Sequence, residues 1–190
     1  GFVARRDEDV KGRRQHLALF ELQAEWENIR EGLLWAADHA QYDLITRPVL
    51  DCLTISGEMS SRFVDIQLLF KEAEGALRGQ PGEQAAVLSD QIAIRYERLN
   101  IFAQTGVDRD RAEAILAHAR RRGDKYETAY SLWVLGDRYG GRQDADAQAA
   151  RAAESMALWR EIGDDFYIAV LLIVLSGHYF ESDLVRVAGL

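Results

Sequence analysis

Apolar residues in this chain recur three and four positions apart, the spacing that lines one face of an α-helix. Leu19, Leu22, Trp26, Ile29, Leu33 and Ala36 step by 3, 4, 3, 4 and 3, which predicts a single helix of about six turns across 15–39. Leu34 and Trp35 widen that stripe and predict neighbours on two sides. Leu44, Ile45, Val49, Leu50 and Leu53 predict a second helix across 42–55, which Pro48 either kinks or begins. Gly57 reads as its stop. Ser60 or Ser61 then caps a third helix that turns Phe63, Ile66, Leu69 or Phe70, Ala73 and Leu77 to one side. Gly79, Pro81 and Gly82 make the sharpest break in the chain.

Beyond that break, Val87, Ile92, Tyr96, Leu99 and Ala103 mark a long helix over 83–104, ended by Gly106. Asp108 or Asp110 caps the next helix, Asp110 standing with Glu113 at the capping-box spacing. Its core positions are Ala112, Leu116 and Ala119. Arg120, Arg121 and Arg122 crowd its last turn, a favourable place for cations at the negative end of the helix dipole. A phosphate or acidic-partner site is the other use for such a cluster. Asp124 caps a helix over 125–139, and the stretch from Gly140 to Asp146 is the longest loop. A helix to Ile162, a second stop and cap at Gly163 and Asp164, a helix over 166–180 and a turn at 181–183 complete the pattern. No stretch alternates apolar with polar residues as a half-buried strand does. The chain therefore reads as all-α. Residues 1–14 are mixed in charge without an apolar period and read as a lead-in helix or linker.

The second half of the chain repeats itself. Aligned at an offset of 40, residues 111–140 and 151–180 are identical at 11 of 30 positions without a gap. The identities include Gly123 with Gly163, Asp124 with Asp164, Leu132 with Leu172, Leu135 with Leu175, and Tyr139 with Tyr179. Self-similarity at such a period marks stacked helical repeats, each unable to bury its apolar face without the next. Residues 15–190 are thus expected to form one repeat domain, cut short at its C-terminal end. The repeat phase predicts a further helix starting near Leu190, and Gly1 in place of methionine fits a cloning remnant. Both features read as a piece of a longer protein.

Composition narrows the possibilities. Apolar residues make up 48% of the chain, enough for a core and against global disorder. The net charge of −8 argues against a nucleic-acid surface. A single cysteine, Cys52, cannot form an internal disulfide and fits a reducing, cytoplasmic setting. The longest unbroken apolar run, 166–175, has ten residues; a membrane span needs about 20. The four histidines, His16, His39, His118 and His178, are scattered, with no H-E-x-x-H spacing. Neither G-x-S-x-G nor G-x-x-x-x-G-K-[ST] occurs. No catalytic residue, metal ligand or cofactor is therefore expected.

Leu132, Leu135, Gly136 and Tyr139 resemble the first-helix signature of a tetratricopeptide repeat, and Ala112, Leu116 and Ala119 its second-helix set. The resemblance implies a right-handed superhelix of antiparallel helix pairs. A more specific likeness lies upstream. The run from Glu25 through Asn28, Ile29, Arg30 and Gly32 to Trp35 and Ala36 resembles the segment that opens the helical-repeat arm of bacterial STAND signal-transducing ATPases, many of them transcriptional regulators. Gly32 stands where that segment usually has alanine. The likeness implies a non-enzymatic sensor or scaffold arm that binds a protein, peptide or small-molecule inducer and controls an ATPase absent from this sequence. In such repeats the first helix of each pair lines a concave groove. The candidate groove residues are Tyr130, Trp133 and Asp137, with Glu97, Ile101 and Gln104 in the preceding copy and Ile173 and Phe180 in the following one. Trp133 either anchors a partner there or packs on an adjacent repeat. The rival reading is a stand-alone adaptor that binds a peptide; it wants basic residues in the groove, and Glu97 and Asp137 are acidic.

Overall fold

The computed structural model describes residues 1–60, 62–137, 145–173 and 175–176, and the regular elements among them are all helical. The chain divides into two compact units, Gly1–Thr105 and Gly106–Leu190.

The first unit opens with a 3-10 turn, Val3–Arg6, and a short helix α1, Asp7–Lys11. Val10 is fully buried, so this lead-in is part of the core. The long helix expected over 15–39 is two helices, α2 (Gln15–Ala24) and α3 (Trp26–Asp38). They meet at Glu25, whose φ of −99° and ψ of 11° leave the helical region. The hydrogen-bond ladder still crosses the bend, because Glu25 donates to Glu21 O at 3.1 Å and accepts from Ile29 N at 2.9 Å. The bend follows from what each half packs on: α2 rests on α1 and α4 (Arg47–Ser60), whereas α3 rests on α5 (Phe63–Arg78). Trp35 is half exposed and stacks on His39 with ring centroids 4.9 Å apart.

The helix expected over 42–55 starts later. Tyr42–Leu44 is a 3-10 turn that leaves Leu44 exposed instead of inward. Pro48 begins α4: Val49 and Leu50 both donate to Thr46 O, at 2.9 and 3.0 Å. Proline is tolerated in a first turn because its missing N–H has no partner to lose there. Gly57 does not stop the helix. It lies inside α4 at a close helix crossing, where a Cβ would sit 3.1 Å from Ile66 Cδ1 and 3.5 Å from Leu99 Cδ2. Ser60 is the last residue of α4 and bonds back to Ser56 O at 2.5 Å, so it caps nothing. The N-cap of α5 is Arg62, without a side-chain cap bond, and Ser61 lies outside the described residues. The next helix, α6 (Glu83–Ala103), returns antiparallel to α5. Ser89 meets Glu74 near the turn at 3.5 Å, and Gln67 meets Asn100 at the far end at 2.7 Å.

The second unit is built from α7 (Arg109–Arg122), α8 (Lys125–Gly136), α9 (Ala145–Ile162) and a helix over 165–173, here α10. Asp108 caps α7, accepting from Arg111 N at 3.1 Å; Asp110 sits in the first turn and forms no capping box. Gly123 closes α7 at φ 66° and Gly163 closes α9 at φ 81°, a left-handed conformation that costs residues with a Cβ about 1–2 kcal/mol. Asp124 then accepts from Glu127 N at 3.2 Å, and Asp164 from Tyr167 N at 3.3 Å. The repeated residues thus repeat their geometry. Ala112 and Ala152, Leu116 and Met156, and Ala119 and Trp159 are buried pair by pair. Arg151 pairs with Glu113, and Arg120 with Glu154 at 2.6 Å, which ties α7 and α9 side by side. Asp137 follows α8 as its C-cap; the expected helix end at Tyr139, the start of the loop and the turn at 181–183 lie outside the described residues. Asp146, expected in the loop, is in the first turn of α9. Leu132 and Leu135 are core residues, but Leu172, expected to match Leu132, is 52% exposed. The helix α10 buries Tyr167 and Leu171 and turns Leu172 and Ile173 to solvent.

Candidate ligand cleft

The residues expected to line a groove are mostly inside the protein. Helix α8 is buried from Glu127 to Gly136, and a stretch enclosed on all sides has no free flank to offer. Tyr130 and Trp133 meet edge to face at 5.2 Å, and each packs on Tyr167, at 5.8 and 5.4 Å. Tyr167 in turn stacks on Trp159 at 4.3 Å. These rings form the aromatic core of the second unit, so Trp133 packs on the following repeat. Asp137 is buried, and its carbonyl accepts from Gln148 Nε2 at 3.4 Å. In the first unit Glu97 is buried and accepts from Asn100 Nδ2 at 2.9 Å, while Ile101 is also buried. Of the eight candidates, Gln104 is exposed, at φ 56° on the end of α6, and Ile173 is 72% exposed. Phe180 lies outside the described residues.

Among the described residues a concavity lies on α3. A cleft of about 330 Å³ opens between the Val3–Arg6 turn, α3, the Tyr42–Leu44 turn and the start of α4. One face of α3 walls it with Glu25, Asn28, Ile29, Gly32, Leu33 and Ala36. Their spacing of three and four is the same periodicity that marks a helix face. Phe2, Val3, Leu44 and Val49 supply apolar walls opposite. Gly32 keeps the cleft open, since a Cβ built there meets nothing within 4 Å. Glu25 and Asp43 bring negative charge to the lining, and Gly1 with its α-amino group lies among the same walls. Glu25 accepts from Asn28 Nδ2 at 2.7 Å. This volume lies at the lower end of the range for small-molecule sites, which are typically apolar with a few polar groups.

Cys52 is buried on α4, and burial, followed by the nearby Asp7 carboxylate, pushes its thiol up to about 12. A thiol held neutral is a poor nucleophile. Arg109 is lowered from its ordinary value, first by desolvation and then by Arg151. Among the described residues no helix is long and apolar enough to cross a membrane.

Set against known proteins, the chain stands apart: no family model, curated protein or solved structure matches it.

Proposed function

We propose that this chain is a binding module and not a catalyst: the tetratricopeptide-like sensor arm of a larger bacterial signalling ATPase of the STAND class. In this reading successive helix pairs continue as a right-handed superhelix, and an inducer or partner bound to the arm sets the state of the ATPase. One observation carries the reading. Glu25, Asn28, Ile29, Gly32 and Ala36, which belong to the segment that resembles the opening of the STAND arm, also wall the cleft. A shared helix face that keeps apolar residues beside an open volume is what a recognition surface requires. The left-handed Gly123 and Gly163 and the buried pairs Ala112 with Ala152, Leu116 with Met156 and Ala119 with Trp159 support the repeat character of the second unit, although Leu132 and Leu172 differ in burial.

The test is the reading frame upstream of Gly1. A phosphate-binding loop of the form G-x-x-x-x-G-K-[ST], encoded a few hundred residues before it, supports the arm. An upstream frame without one overturns the parent class. Catalytic turnover by the purified chain overturns the non-enzymatic role.

A further inference from the structure

We propose that the segment from Val3 to Lys11 is a strap: it releases from α4 as a unit while the rest of the first unit stays folded, and it governs access to the thiol of Cys52. The inference goes beyond the sensor reading and does not rest on it. The two helical turns of the strap have four and five residues and no side-chain cap. Helices that short do not stand alone, so docking holds them. The hold is narrow. Val3 and Val10 are the buried residues of the segment, set against the backbone entropy of its whole length. Arg6 pairs with Glu21 on α2, and both stay partly exposed, where an ion pair contributes little. Lys11 reaches Asp51 on α4 at 3.9 Å. Gly12 is the hinge: a Cβ there would fall 2.9 Å from Glu8 O, so the turn between α1 and α2 depends on this glycine. Beneath the strap Cys52 is wholly buried, and the charges of Asp7, Lys11 and Arg6 reach its thiol. The strap is therefore its cover. Few buried apolar side chains mark a segment that opens locally before the whole unfolds. Release also takes away the Phe2, Val3 and Ala4 wall of the α3 cleft.

The experiment follows iodoacetamide labelling of Cys52 in the whole chain as urea is raised, beside global unfolding read by far-UV CD. Through strap release the native protein is expected to label about tenfold or more faster than global unfolding allows, yet still far more slowly than the unfolded chain. The urea dependence is weak, because release exposes little surface. Two core variants separate the routes. Leu77→Ala removes a buried side chain of α5, lowers the urea midpoint and leaves native labelling within about twofold. Val10→Ala loosens the strap itself and raises labelling about tenfold. Labelling no faster than global unfolding allows, or labelling that climbs with Leu77→Ala in step with the unfolding equilibrium, overturns the strap. The urea dependence of the unmodified chain decides even where a variant fails to fold: a slope as steep as that of global unfolding also overturns it. That result leaves the sensor arm to be judged by the upstream reading frame.

Discussion

Arg95 is fully buried in α6, and its Nε donates a 2.7 Å hydrogen bond to Asp51 Oδ1 on α4. Its Nη1 donates to Gln91 O at 2.9 Å, and Lys11 Nζ stands 3.9 Å from the second Asp51 oxygen. Lys11 also meets Asp7 at 3.1 Å. One buried carboxylate therefore joins α1, α4 and α6. Asp51→Ala leaves the guanidinium in the interior without its counter-charge, which costs about 3–5 kcal/mol. Replacing both partners by apolar residues, as in D51L/R95M, removes the stranded charge and recovers most of that loss. Urea unfolding of D51A, of the single variants D51L and R95M and of the double variant measures the coupling. A double variant no more stable than D51A would sink the account.

Two helical glycines make opposite predictions. A Cβ on Gly136 would fall 2.9 Å from Ala152 N and 3.1 Å from Gln148 O. Both atoms are backbone, so α8 and α9 must separate to admit it. Gly136→Ala is expected to cost about 1–3 kcal/mol, the usual penalty of overpacking. On α5 a Cβ on Gly75 meets nothing within 4 Å. Gly75→Ala is therefore expected to stabilise by about 0.5–1 kcal/mol through backbone entropy alone. Thermal unfolding of the two variants decides, and both must move in the stated directions.

Two other glycines show where sequence stops informing. Gly123 and Asp124 announce themselves, because a left-handed residue followed by a side-chain acceptor is a local device that needs no tertiary partner. Gly57 carries the same letter for a different reason, the closeness of Ile66 and Leu99, which are distant in the chain. Asp51 and Arg95, 44 residues apart, look like members of solvated faces until α4 and α6 are brought together. Tyr130 and Trp133 sit beside the stripe of their helix, a position that is a flank on a half-buried helix and core on a fully enclosed one. Periodicity does not distinguish the two. The α3 cleft shows the opposite balance: its lining helix face is visible as a pattern, while its opposite wall is assembled by turns that have no apolar period.

Helix capping offers a local test of burial. Asp108 and Asp124 accept from Arg111 N and Glu127 N at 3.1 and 3.2 Å, at the starts of consecutive helices. Replacing an N-cap aspartate by alanine costs typically about 1 kcal/mol. Asp124→Ala is expected to cost more than Asp108→Ala. Glu127, whose amide Asp124 satisfies, is buried, and an orphaned N–H in a shielded place is not rescued by water. Denaturant midpoints of the two variants give the comparison, and equal losses would show the second cap to be as well hydrated as the first.

The buried thiol of Cys52 links stability to pH. Its value is about 12 in the folded protein and about 8.5 in an unfolded chain. Between these limits the folded state holds one proton that the unfolded state has released. Stability from this group is complete below the unfolded value and declines as pH rises toward the folded one, by about 1.4 kcal/mol per unit for one proton. Cys52→Ala removes the proton and with it this part of the slope, although other groups titrate above pH 10 in both proteins. The difference in unfolding free energy between the two, followed from pH 8 to 10.5 by urea titration, should therefore shift in favour of the alanine variant as pH rises. Labelling offers an independent check: iodoacetamide at pH 8 reacts with thiolate, so the native thiol should react far more slowly than the urea-unfolded one. A flat difference in stability together with rapid native labelling would place Cys52 in contact with water, contrary to its complete burial on α4.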